Sequence, residues 1–171
     1  MRREAVKFIA ASGAAIVALS FANVANLAPI LIWNASASAP IGLYRIDRNK
    51  RFEIGDVVLV GPDEALAKFI AERGYLPENI PLLKRVAALS GDEICRESEA
   101  IFINDVRVAD ALIFDSSGRF MPSWTGCFTL QSDEMFLIND PGNSLDGRYF
   151  GATRAEDVVG VAKPLWIMEN D

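Results

Sequence analysis

In Pro81-Leu82-Leu83-Lys84-Arg85-Val86-Ala87-Ala88-Leu89-Ser90-Gly91-Asp92, apolar residues bracket one lysine. Read as a strand, Leu82 to Leu89 sends Leu82, Lys84 and Val86 to one face and Leu83, Arg85 and Ala87 to the other. Lys84 therefore points with an apolar set, and Gly91-Asp92 ends the strand in a turn. A lysine among apolar residues loses the hydration its ammonium needs. Its pKa falls toward the range of a general base. The ordinary alternative for such a strand is a lysine on a half-exposed face.

The chain contains no histidine. A Ser-His-Asp or Cys-His site within one chain is therefore excluded, and so is a His-ligated metal site. No metal site and no cofactor motif is expected. With 171 residues, half of them apolar, the chain has enough material for one ordinary domain plus an anchor. Its net charge of -6, with no basic run interleaved with aromatics, argues against nucleic acid as a partner.

Outward from Lys84, short apolar runs alternate with turn residues. Gly55-Asp56 turns into a buried strand, Val57 to Val60. Asp63 is a fair N-cap for a helix that places Leu66, Phe69 and Ile70 on one face and stops at Gly74. Ile101–Ile103 and Val106–Val108 flank Asn104-Asp105, a hairpin signal. Ala109 to Trp124 is irregular, with a turn at Asp115 to Gly118. Cys127 to Leu130, Met135 to Ile138 and Val158 to Met168 read as strands, the last broken at Gly160 and Pro164. Asn139 to Gly151, rich in Gly, Asn and Asp, reads as a loop. The expectation is a mainly β domain with one short soluble helix.

The N-terminus carries the strongest compositional signal. Arg2, Arg3 and Lys7 precede an uncharged stretch from Phe8 to Trp33. Its length suffices to cross about 30 Å of hydrocarbon as a helix. The charge asymmetry places the N-terminus in the cytoplasm and the rest outside. The expected division is 1–33 as cytoplasmic tip and anchor or signal segment, and 34–171 as the exported domain. A signal peptide cleaved near Ala22 to Asn26 and a buried core helix are the alternatives. Cys95 and Cys127 are the two cysteines of a chain expected in an oxidising compartment, where they form a disulfide unless they are separate buried thiols.

Two further segments hold candidate chemistry. Ser38 lies in Asn34-Ala-Ser36-Ala-Ser38-Ala-Pro40-Ile-Gly42-Leu-Tyr44, a loop with Ser36 two residues earlier. The Ser38 N–H and the Ser36 hydroxyl can both serve as oxyanion donors. Ser144, Asp146 and Arg148 lie in Ser144-Leu-Asp146-Gly-Arg148-Tyr-Phe-Gly151. There Ser144 can orient a lysine amine, and Asp146 with Arg148 can pin the loop. Taken singly, these segments are linkers and solvated turns as often as sites.

Taken in order behind an apolar N-terminus, the three motifs resemble signal peptidase I, and more narrowly the TraF-type peptidases of plasmid conjugation systems. They are S-x-P-x-G-L-Y at Ser38–Tyr44, K-R-V-A-x-x-x-G-D at Lys84–Asp92 and S-x-D-x-R-Y-F-G at Ser144–Gly151. The cysteines and Gly118 to Cys127 also resemble the TraF group. The resemblance implies an antiparallel β domain of signal peptidase I/LexA-like type after an N-terminal transmembrane helix. It implies Ser38 as nucleophile, Lys84 as general base, and Ser36 and Ser38 at the oxyanion. Ser144 then contacts the lysine, and Asp146 with Arg148 forms a supporting pair. One departure is Gly147, where the family usually has a serine. The implied protein sits in a bacterial inner membrane by a single pass, with its catalytic domain in the periplasm. It cuts membrane-tethered precursors at an Ala-x-Ala-like sequence, a pilin precursor by analogy with the TraF group, with cyclisation as one outcome. A general signal peptidase and a non-enzymatic anchored scaffold are the alternatives.

Overall fold

The computed structural model describes residues 31–49, 51–78 and 80–168. The anchor expected over residues 1–33 lies almost wholly outside the described residues. Among those described, no helix is long and apolar enough to cross a membrane.

The domain is mainly β, and its paired strands run antiparallel. In chain order the elements are β1 (Leu31–Asn34), β2 (Gly42–Asp47), β3 (Val57–Val60), α1 (Glu64–Glu72), β4 (Leu82–Ala88), β5 (Glu93–Glu97), β6 (Ala100–Ile103), β7 (Val106–Asp110), β8 (Gly126–Thr129), β9 (Glu134–Leu137), α2 (Gly147–Phe150), β10 (Thr153–Arg154) and β11 (Val158–Ile167). A seven-stranded sheet runs β1-β2-β11-β3-β4-β9-β10, and a four-stranded sheet runs β7-β6-β5-β8.

Local chemistry accounts for the elements. The Asp63 carboxylate accepts the Leu66 N–H at 2.7 Å and starts α1, and Gly74 at φ +68° follows its end. Asn104 and Asp105, both at positive φ, form the tight turn between β6 and β7. Two buried clusters cover opposite faces of the large sheet. Tyr44, Ile46, Leu59, Leu83 and Ala162 form one, and Val58, Val60, Val86, Leu137 and Val161 the other. Lys84 pairs with Val58 across the ladder and so shares the second face. A third cluster joins Ala88 and Phe136 of the large sheet to Ile94 and Ile101 of the small one. Each fully buried Val, Leu, Ile or Phe among them contributes about 1.5–3 kcal/mol relative to leaving it exposed.

The structure departs from the sequence expectation in four places. Leu31 to Trp33, read as part of the apolar segment, are in β1, where Trp33 pairs with Leu43. Gly42 to Tyr44, read as loop, begin β2. That strand can lie close beside β11 because Gly42 has no Cβ, which would lie 2.1 Å from the Trp166 carbonyl. The loop over Asn139 to Gly151 contains one helical turn, α2, capped by the Asp146 side chain. β5 escapes a reading by hydrophobic pattern because Arg96 is buried within it between charged ends.

The cysteines pair. Cys95 on β5 bonds to Cys127, its direct neighbour across the ladder on β8, closing a loop with a sequence separation of 32. Replacing both by serine should destabilise the domain by about 3–4 kcal/mol on the chain-entropy account of a loop that long. Denaturant melts of the two proteins, each measured oxidised and reduced, check this, and the reduced pair should coincide.

Candidate active site

The first candidate loop is organised by Asn34, at the end of β1. Its amide nitrogen donates to the carbonyls of Ser36, Ala39 and Pro40 at 2.9, 3.0 and 3.0 Å. Its side-chain oxygen accepts the Ser36 N–H at 3.0 Å. The Tyr44 hydroxyl donates to the Pro40 carbonyl at 2.6 Å. The turn from Ala35 to Ile41 is thereby folded around one buried amide and one phenol, and Ser38 is carried at its rim. Ser36 Oγ and Ser38 Oγ lie 2.9 Å apart, and the Ser38 N–H donates to Ser36 Oγ at 3.3 Å. Both candidate oxyanion donors thus sit beside the candidate nucleophile, one of them bonded to the other's oxygen.

Lys84 is 5% exposed, and its Nζ donates to Ser144 Oγ at 3.0 Å. Burial lowers its pKa from 10.5 to about 8, with the Asp146 carboxylate acting against the shift and the Arg148 guanidinium for it. The strand that carries it is fixed by Asn139. That side chain accepts the Arg85 N–H at 2.9 Å and donates to the Leu83 carbonyl at 3.0 Å. The peptide groups on either side of Lys84 are therefore held by one residue of the Ser144 loop.

Asp146 and Arg148 form a buried ion pair at 2.9 Å, with side chains 0% and 2% exposed. The Asp146 carboxylate also accepts the N–H groups of Asn139 and Arg148. The Arg148 guanidinium donates to the carbonyls of Asn139, Pro141 and Gly142. The Nε, Nη1 and Nη2 of one guanidinium thus gather a loop whose carbonyls would otherwise be left without partners. Gly147 has a steric reason to lack a side chain. A Cβ there would lie 2.8 Å from the Leu137 carbonyl and 2.8 Å from the Phe136 ring.

Ser36, Ser38, Lys84 and Ser144 line one cleft of about 950 Å³, with Ile70, Leu112, Phe114, Met121 and Tyr149 among its apolar walls. Three segments distant in sequence thus meet in one space. Asp146 and Arg148 stand behind it as the loop's internal clamp. Cys95 and Cys127 lie in the small sheet, away from the cleft. The reading of the sequence missed Asn34 and Asn139. Their signal was present: each is an asparagine four or five residues before a candidate serine, where its amide can satisfy turn backbone. Among the described residues no group of His, Cys, Asp or Glu can hold a metal ion. A buried amine whose pKa is lowered to about 8, lining the same cleft as a hydroxyl, can in its neutral form remove that hydroxyl's proton and support nucleophilic attack.

Residues 2–167 match the family model described as signal peptidase, peptidase S26. The chain is 31% identical over 170 residues to the plasmid transfer protein TraF of Escherichia coli, covering 93% of this chain and 94% of that one. It is 29% identical over 178 residues to the conjugal transfer protein TraF of Agrobacterium fabrum, covering 98% of each. A solved signal peptidase I from Enterococcus faecalis aligns at a TM-score of 0.39 and 17% identity, over 66% of this chain and 97% of that one.

Two outcomes follow from this geometry. The folded state holds Lys84 at about 8 against an ordinary 10.5, so the unfolded chain binds more protons between those values. The penalty is complete below the folded value and fades as pH rises to the ordinary one. Lys84→Met should therefore be the more stable protein at neutral pH, by about 3 kcal/mol at most. Its advantage should shrink across that window in thermal melts taken as a function of pH. Gly147→Ala should cost about 1–3 kcal/mol through overpacking, measured by denaturant unfolding.

Proposed function

This chain belongs to the signal peptidase family, peptidase S26, and on that premise we propose that it is a Ser-Lys endopeptidase of exported precursors. The observation that carries the proposal is the Lys84 amine, buried at 3.0 Å from Ser144 and sharing a cleft with Ser38 in a chain without histidine.

In this mechanism neutral Lys84 Nζ takes the proton of Ser38 Oγ, and the oxygen attacks the carbonyl carbon of the scissile bond. The resulting oxyanion exchanges places with the present Ser36–Ser38 contact and accepts from the Ser38 N–H and the Ser36 hydroxyl. Lys84 then gives its proton to the departing amine, leaving an ester on Ser38. Water, deprotonated by Lys84, hydrolyses the ester. When the substrate's own N-terminal amine replaces water, the product is a cyclic peptide. Ser144 accepts a hydrogen bond from the amine and holds it in place. Asp146 and Arg148 keep the loop in register.

Likeness to plasmid and conjugal transfer proteins over nearly the whole chain supports a role in conjugation. The substrate proposed is a membrane-tethered pilin precursor. The setting proposed is the bacterial inner membrane, with a single-pass anchor within residues 1–30, ahead of β1, and this domain in the periplasm. An apolar face supports that placement. Leu31, Trp33, Leu165, Trp166 and Met168 are exposed where the chain leaves residues 1–30, and the two indoles stack at 5.7 Å. Tryptophan suits a membrane–water interface.

Ser38→Ala and Lys84→Ala should each abolish precursor processing, and the double variant should be no worse than either. Mass spectrometry of pilin precursors co-expressed with each variant reads this out, together with linear or cyclic product. Processing retained by either single variant would sink the dyad and leave an anchored scaffold. Turnover should rise with pH through about 8, as Lys84 loses its proton. A midpoint near the free-lysine value of about 10.4 would contradict a buried base. Ser36→Ala should lower kcat by about 10²–10³-fold with little change in KM, as expected for one lost oxyanion donor.

A further inference from the structure

Arg96 is a buried cation that the cleft does not use. It lies on β5 in the four-stranded sheet, 6% exposed. Its Nε donates to the Ser98 carbonyl at 2.9 Å and its Nη1 to the Arg148 carbonyl at 2.7 Å. A guanidinium taken out of water needs such partners, and the second of them belongs to the loop of the candidate site. A one-turn helix such as α2 cannot satisfy its own last carbonyls. Arg96 satisfies that of Arg148. The Trp124 indole donates to the Gly147 carbonyl at 3.2 Å, and the Leu112 N–H to the Tyr149 hydroxyl at 3.0 Å. Three successive residues of α2 are therefore gripped by groups from β5 and from the segment between β7 and β8.

The grip is internally braced. On β5, Cys95 is bonded to Cys127 of β8, and Arg96 faces Gly126 across the same ladder. Trp124 lies two residues before Gly126. The strand bearing the guanidinium and the strand next to the indole cannot slide past each other while that bond is intact. Upstream of α2, Asp146 caps it, and Ser144 stands two residues before Asp146.

We propose that the four-stranded sheet positions the Lys84–Ser144 pair, with Arg96 as the positioning residue that fixes α2 and through it the Ser144 loop. The proposal rests on the Ser38–Lys84 reading above. Arg96 touches no reacting atom. Its loss loosens α2, lets Ser144 leave the Lys84 amine and admits water beside it. The charged groups acting on that amine, Asp146 and Arg148, sit on the same loop and move with it.

The test uses the full chain in detergent and a fluorophosphonate probe that acylates reactive serines, with labelling rates followed against pH. Wild type should label at Ser38 with a midpoint near 8, and Ser38→Ala should not label. Arg96→Met should label about ten- to a hundredfold more slowly, the scale of a small misplacement of reacting groups. Its midpoint should move up toward the ordinary lysine value. Arg96→Lys, which keeps the charge and a donor, should recover most of the rate. Trp124→Phe should shift the midpoint in the same direction by less. A folded Arg96→Met with unchanged rate and midpoint overturns the proposal. If that variant does not fold, Trp124→Phe with unchanged rate and midpoint overturns it instead. A wild type that does not label at Ser38 overturns the endopeptidase reading and this inference together. A labelled wild type with indifferent variants overturns only this inference.

Discussion

The hydrogen bond from the Lys84 amine to Ser144 is the contact around which the remaining site is arranged. An amine without water is forced toward its neutral form, and a neutral amine is useful only if its lone pair is aimed. Both conditions depend on the same packing. Val58 and Val86 exclude water from the strand face that carries Lys84. Asn139 pins the peptide groups on either side of Lys84. The local charges are balanced too. Asp146 alone would draw the amine back to its ammonium, and Arg148, paired with Asp146, opposes that pull.

The two halves of the site are built differently. Lys84 stands on an interior strand of the large sheet and is almost wholly buried. Ser38 is half-buried on a turn at the sheet's edge, tied down through Asn34 and Tyr44 but lining the cleft. The division suits the proposed Ser-Lys chemistry. A base needs a dry, constant environment, whereas a nucleophile has to meet a long peptide. The small sheet adds a third layer of control. Its hydrogen bonds to α2 join a disulfide-braced unit to the loop that holds Ser144.

The exposed indoles of Trp33 and Trp166 stack beside the start of the described chain. They flank Leu43 of β2, on the edge where β1 begins. Trp33 also lines the cleft. The apolar rim and the cleft mouth are therefore continuous.

Much of this was legible in the chain itself. Alternation at Leu82, Lys84 and Val86 placed the lysine on an apolar face, because a strand's side chains have a period of two. Asp63 and Gly74 marked the ends of α1, and Asn104-Asp105 marked a hairpin, because these residues act on their own backbone. The absence of histidine ruled out whole classes of catalyst by composition alone. Tertiary structure decided what depends on a distant partner. A buried Arg96 in a short strand with charged ends does not look like strand material until the Arg148 carbonyl, 52 residues away, gives its guanidinium a place. A glycine at 147 reads as mere turn until Phe136 and the Leu137 carbonyl occupy the space a side chain would need. Asn34 and Asn139 look like loop filler until the backbone groups they satisfy are brought to them. Local periodicity is written in neighbouring residues and can be read there. The satisfaction of buried polar groups is a relation between segments, and only the folded chain brings those segments together.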